Sequence, residues 1–386
     1  MAAADARAWR AAALAAAVSA ALAAVPARSA WADATGPRSA TMCAACHGPI
    51  QRAWQASSKA HSWTNPVFQA GLADARAARG ERIVLRCLSC HAPLAAASAD
   101  LSVANPVSQE GITCNFCHNV SQVEASPLPA SYTFDSAKPN LMRGPYPDAE
   151  PGSAHEAAYV ETFTKSEFCA SCHWGDNDDQ GVEFEATFPA WRASRAAAAG
   201  RQCQDCHMPP APGKASALSK KQRPAVYAHT FVGPRTPGGL DSVATVAGGV
   251  VRGRLRVTVR NTRGGHALPG GGHSLRAISL EAVFYDAAGK ELSHAAVATY
   301  GTEFADSAGH GPVPKWLGVT VRYSHEIPAD STVVEWADVP AHAKRAALTL
   351  TYLPIAPAYR ARLEAAHVDL TGRDPVVLAR AEVPLP

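Results

Sequence analysis

The chain has 386 residues, of which 36 are basic and 33 acidic, and it carries ten cysteines. A formal charge of +3 is too small to argue for a nucleic-acid partner, and beyond the N-terminus no stretch approaches the length of a membrane span.

Residues 1–32 read as a signal peptide. Arg7 and Arg10 precede an apolar run from Ala11 to Val25, and Ala30-Trp31-Ala32 offers a small-x-small cleavage pattern before Asp33. The run is too short and too rich in alanine to make a good anchor. The mature chain is therefore expected to be exported, periplasmic or at the cell surface, with no transmembrane span. Its formal charge falls to +1 once Arg7, Arg10, Arg28 and Asp5 are removed.

From residue 33 to about 235 the chain holds every cysteine, and all ten fall in five copies of Cys-x-x-Cys-His. These are Cys43 and Cys46 with His47, Cys87 and Cys90 with His91, Cys114 and Cys117 with His118, Cys169 and Cys172 with His173, and Cys203 and Cys206 with His207. The pattern is that of c-type haem attachment: two thiols form thioethers with the haem vinyl groups, and the following imidazole turns onto the iron. A zinc ribbon needs two Cys-x-x-Cys pairs per metal and five is odd, a thioredoxin-like site uses one pair, and no disulfide framework requires a histidine after every second cysteine. Five covalent haems c are the expected cofactors. A ferric haem with ionised propionates adds roughly −1 and a ferrous one roughly −2, so the holoprotein is expected at about −4 oxidised and about −9 reduced.

Roughly 200 residues for five haems leave about 40 residues each, too few for a separate apolar core. Short helices are expected at about residues 50–60, 66–79, 155–163 and 187–199, with the rest as loop wrapped on porphyrin. The proline-rich stretch 126–152 reads as an irregular connection. Residues 240–386 change to period two, with strands at 251–259, 275–285, 317–321, 332–336, 347–353 and 376–383 and one helix near 357–366. The fold class expected is α + β in two parts: a mainly α or irregular multihaem cytochrome domain over 33–235, then an all-β, immunoglobulin-like sandwich over 240–386.

Ten histidines remain outside the motifs, and three of them lie in the haem part. His61, His155 and His229 are the expected distal ligands, joined by His266 and more weakly His273 from the glycine-rich loop 264–273. His294, His310, His325, His342 and His367 lie in or beside strands and read as surface or satisfied interior residues. Met208 follows His207 too closely to reach the far face of its own haem, which leaves Met142 as a weak substitute. Ala53-Trp54-Gln55-Ala56-Ser57 recurs as Ala190-Trp191-Arg192-Ala193-Ser194, but Ala198 stands where His61 would fall. Four ligands for five irons leave at least one haem without a strong distal histidine.

Trp54-x-x-Ser57 with His61, Glu110-Gly111-Ile112-Thr113-Cys114, Gly144-Pro145 ahead of His155, Cys203 to Pro209 and the loop 265–270 together resemble exported multihaem c-type cytochromes. These are related to the tetrahaem cytochrome that accepts electrons from hydroxylamine oxidoreductase in ammonia oxidisers. The resemblance implies closely stacked, mostly bis-histidine haems and an electron-carrying role between redox protein partners. The fifth haem and the added β part depart from that pattern, so the partner does not transfer. A reductase of a small nitrogen or sulfur oxyanion or of nitric oxide, working at a five-coordinate haem, is the alternative. A subunit of an extracellular haem filament or outer-membrane conduit is the third reading. Pentahaem nitrite reductases replace one motif histidine with lysine, whereas all five motifs here end in histidine.

Overall fold

A computed structural model describes residues 37–386 apart from 127–130, 136, 153, 176–184 and 271–274. The leader expected over 1–32 and the ligand candidate His273 lie outside the described residues. No described helix is long and apolar enough to cross a membrane.

Each Cys-x-x-Cys-His copy sits on a helical turn: α1 (Ala40–Gln55) contains the first, α3 (Glu81–His91) ends on the second, and α5 (Cys114–Asn119), α6 (Glu167–His173) and α9 (Cys203–His207) carry the others. These motifs were expected in loops. The helix suits them because residues i, i+3 and i+4 share one face, which aims both thiols and the imidazole the same way. Local chemistry starts and stops these helices. The Ser39 and Thr113 side chains cap α1 and α5 by accepting from the backbone N–H of Thr41 and Phe116. At His47, the last residue of the first motif, α1 kinks, because Pro49 shortly after it cannot supply an N–H to the ladder.

The expected helix 66–79 forms as α2 (Pro66–Arg79), with Asn65 as its cap, Pro66 in the first turn and Gly80 at φ +74° closing it. α4 (Pro93–Ala97) follows α3, and the helix expected over 187–199 breaks into α7 (Thr187–Arg192) and α8 (Arg195–Ala198). The helix expected near 155–163 is absent. The chain there forms a strand, β4 (Glu156–Tyr159), running parallel to β3 (Leu141–Gly144), followed by a 3-10 turn over Glu161–Thr164. Its partner comes from the proline-rich segment, a pairing invisible to local propensity. Two further small ladders, β1 (Val120–Val123) with β2 (Tyr132–Phe134) and β5 (Pro210–Gly213) with β6 (Arg223–Tyr227), brace the cysteine-rich part.

The remainder is two facing antiparallel sheets. One has the order β11 (Thr320–His325), β10 (Glu291–Ala305), β9 (Ala277–Tyr285), β13 (Arg345–Leu353) and β14 (Val376–Pro384). The other pairs β12 (Thr332–Asp338), β8 (Arg254–Asn261) and β7 (Ala244–Val251). Alternation supplies the core: Ile278, Leu280, Ala282 and Phe284 on β9 and Leu348 and Leu350 on β13 meet Leu255, Val257 and Val259 on β8. Strand β10 escapes a period-two reading because its register with β9 slips twice, between Glu291 and Ser293 and between Ala296 and Ala298. Each slip inverts the inward face.

A second apolar core crosses the expected division at 235–240. Leu72 and Ala75 of α2 and Ile83, Val84 and Leu88 of α3 pack with Trp316, Ile355, Tyr359 and Leu363, the last two from α10 (Pro357–Ala365). The Trp316 indole donates to Asp74 Oδ2 at 2.8 Å, and Arg362 pairs with the same carboxylate. Gly71 is required here, since a β-carbon would come within 2.9 Å of the Trp316 ring. Replacing Trp316→Ala is expected to cost about 3–5 kcal/mol, the range for emptying a buried aromatic site. The check is a lowered chemical-denaturation midpoint for the intact holoprotein, and an unchanged midpoint would show that this core does not join the two parts.

Candidate cofactor-binding site

The five motif helices converge. None of the ten cysteines is joined in a disulfide; nine are half-buried and Cys206 is exposed. Thiols of different motifs lie side by side: Cys43 beside Cys114, Cys90 beside Cys172, and Cys169 beside Cys203. Cys117 is near enough to Cys172 for its ionisation to feel the second sulfur. The first motif therefore adjoins the third, the third adjoins the fourth, and the second and fifth both adjoin the fourth.

Ring orientation is set by main-chain carbonyls. His47 Nδ1 donates to Ala215 O at 2.7 Å, His91 Nδ1 to Ser62 O at 3.3 Å, His118 Nδ1 to Arg143 O and His207 Nδ1 to Val232 O. A carbonyl oxygen only accepts, so the proton is on Nδ1 and the lone pair on Nε2. Three non-motif histidines follow the same rule: His155 donates to Glu156 O at 2.9 Å, His229 to Tyr227 O at 3.0 Å and His266 to Ala267 O at 2.8 Å. Burial holds His91 and His229 neutral, lowering each to about 4.

Three motif imidazoles each face one of those three. The ring centroids of His47 and His155 are 6.2 Å apart with planes 21° from parallel, those of His118 and His229 are 6.4 Å and 22°, and those of His207 and His266 are 6.4 Å and 13°. Direct face-to-face contact looks different. Phe68 lies 3.9 Å from the His91 ring, at 10°.

Each opposing histidine is held by its own element. His155 precedes β4, and His229 follows β6. His266 hangs on the loop after β8, where the Asn261 amide donates to His266 O at 2.8 Å and the Asn261 side-chain oxygen accepts from Gly264 N at 2.9 Å. Gly270, at φ +55°, closes that loop so tightly that a β-carbon would meet Ala267 O at 2.6 Å and His266 Nδ1 at 2.9 Å.

The other expected ligands sit elsewhere. His61 is exposed, and its imidazole has neither a ring contact nor a hydrogen bond among the described residues. The turn that carries it points its preceding neighbour but one inward, and Lys59 Nζ lies 3.3 Å from His173 Nε2. Met142 Sδ accepts weakly from the Asn115 and Asn119 amides, at 3.8 and 3.7 Å. Its sulfur is thus engaged by α5. In the β part His294, His310 and His325 pair with Glu281, Asp306 and Glu335. No described histidine stands opposite His91 or His173.

The internal repeat is structural. Trp54 Nε1 donates to Ile112 O at 2.8 Å and Trp191 Nε1 to Arg201 O at 3.2 Å. Both acceptors lie two residues before the first cysteine of a motif. Ser57 N and Ser194 N each donate to the carbonyl of their tryptophan at 2.8 Å. Each copy is a clamp between a helix end and the start of a later attachment helix, the third for Trp54 and the fifth for Trp191.

The family model for cytochrome c554 and c-prime matches residues 42–119, which span the first three motifs. Among solved structures, the chain is similar to a penta-heme cytochrome c552 from Thermochromatium tepidum at 21% identity, with a TM-score of 0.72 over 90% of this chain and 99% of that one. No curated protein matches. The family match and the shared fold support a multihaem c-type cytochrome. Intact mass of the purified protein is expected to equal the polypeptide plus five haems, with no sulfur open to thiol reagents. A mass carrying four haems or fewer would contradict the assignment of all ten cysteines to attachment.

Proposed function

We propose that this chain is an exported electron carrier whose five covalent haems c pass electrons between redox protein partners. The observation that carries this reading is the set of three imidazole pairs. Two metal–imidazole bonds of about 2 Å each, with a ring at either end, span about 6 Å between centroids. The three measured separations fit that span, and in every pair both Nδ1 atoms are already committed to carbonyls.

The assignment follows residue by residue. The ten motif cysteines would hold the porphyrins covalently, and His47 with His155, His118 with His229, and His207 with His266 would close both faces of three irons. Haem c, when bound, supplies a one-electron couple. The protein's part is to present neutral nitrogens at fixed positions, so that little reorganisation accompanies a change of oxidation state, and to keep the attachment helices contiguous from the first motif through the third and fourth to the second and fifth.

Imidazole on both faces leaves no coordination site for a substrate, which favours a carrier over a reductase. The reductase alternative would have to work at the haem of His91 or of His173, opposite which no described histidine stands. We infer that the His91 iron binds carbon monoxide when reduced, giving a shift of at least about one haem in five. Turnover needs positioned acid and donor groups as well. Electron exchange is therefore expected to be fast, and steady-state reduction of nitrite or hydroxylamine negligible; rapid reduction of either would place the enzyme reading first.

The pair that joins the β part to the cofactors is separately testable. Substituting His266→Ala is expected to convert one low-spin haem to high spin in the electron paramagnetic resonance spectrum of the oxidised protein. An unchanged spectrum would leave the glycine-rich loop with a structural or docking role.

A further inference from the structure

Lys59 occupies a position the sequence pattern does not mark. We propose that its side-chain amine is the distal ligand of the haem attached at Cys169 and Cys172, opposite His173; this rests on the haem assignment above. The His173 Nε2 lone pair is the atom that would meet iron, and the group facing it is Lys59 Nζ, at 3.3 Å. Two metal–nitrogen bonds of about 2 Å placed end to end separate their nitrogens by about 4 Å, so the amine needs to withdraw by less than an ångström to admit a metal. Ligation releases one proton from the ammonium to solvent and forms one nitrogen–iron bond.

The backbone of Lys59 is fixed as a ligand's should be. Its carbonyl accepts from Ile112 N at 3.1 Å and from Ser62 Oγ at 3.0 Å, and its N–H donates to Ser57 Oγ at 3.2 Å. Ser57 Oγ in turn donates to Trp54 O at 2.6 Å. Gly111, at φ +73°, permits this approach, since a β-carbon there would meet Ser62 Oγ at 2.3 Å and Lys59 O at 2.9 Å. The Trp54-x-x-Ser57 clamp and the Gly111-Ile112 segment thus fix the turn after α1 against the start of the third attachment helix. The Lys59 side chain lies among Cys117, Cys169, Cys172 and His173. Phe231 lies 5.7 Å from Nζ on another side.

A lysine here could instead neutralise a haem propionate, and substitution separates the two roles. Arginine keeps the charge but cannot give up a proton to become a ligand, whereas histidine can ligate without a fixed charge. In oxidised, fully loaded protein, Lys59→Ala and Lys59→Arg are both expected to turn one low-spin haem high-spin, raising the high-spin paramagnetic resonance signal about twofold, from about one haem per chain to about two. Lys59→His is expected to restore the low-spin state. A Lys59→Arg spectrum identical to that of the unsubstituted protein would overturn the proposal, as would an unchanged Lys59→Ala spectrum. Failure of the underlying haem reading looks different: intact mass would fall short of five haems.

Discussion

A carbonyl oxygen cannot donate a hydrogen bond, and much of this molecule's chemistry depends on that constraint. Four motif imidazoles and three outside the motifs spend Nδ1–H on a main-chain carbonyl, which determines the tautomer and leaves Nε2 as the only lone pair. The carbonyls come from scattered places: the strap at Ala215, the turn at Ser62, strand β3 at Arg143 and the segment at Val232. The small ladders β3 with β4 and β5 with β6 hold several of these acceptors and opposing histidines in place. Without such braces a loop-rich chain would have no means of aiming seven rings.

The β part is more than an appendage. Its sandwich buries a continuous apolar core of its own, and it shares another with α2 and α3 through Trp316 and α10. The loop between β8 and β9 also carries His266, whose ring sits 6.4 Å from that of His207.

The clamp made by tryptophan and serine shows how one local device can serve twice with different outcomes. Both copies end a helix and tie it by an indole to the residue two before a motif. After the first copy the chain makes a turn with Lys59 directed inward; after the second it forms α8 with alanines at the corresponding places. Geometry was retained while the chemistry of the following residues diverged.

Composition and spacing alone pointed to the cofactor class, the five Cys-x-x-Cys-His copies and the change from cysteine-rich to strand-rich chain near residue 240, and singled out His155, His229 and His266, whose rings stand opposite motif imidazoles. Those features are local: a Cys-x-x-Cys-His copy, an alternating strand or a Gly-His-x-x-Pro-Gly loop declares itself within a few residues. The strand at Glu156–Tyr159 and the bulged β10 were not legible, because the first depends on a partner from a proline-rich stretch and the second breaks its own period. Nor was the inward placing of Lys59 beside His173. Residue type favours the histidine, but in a tight turn two residues apart can face opposite ways, and only the hydrogen bonds to Ile112, Ser62 and Ser57 decide which of them points at His173. Which imidazole meets which, and where the lysine lies, depends on contacts between elements far apart in the chain, and those exist only once the chain has folded.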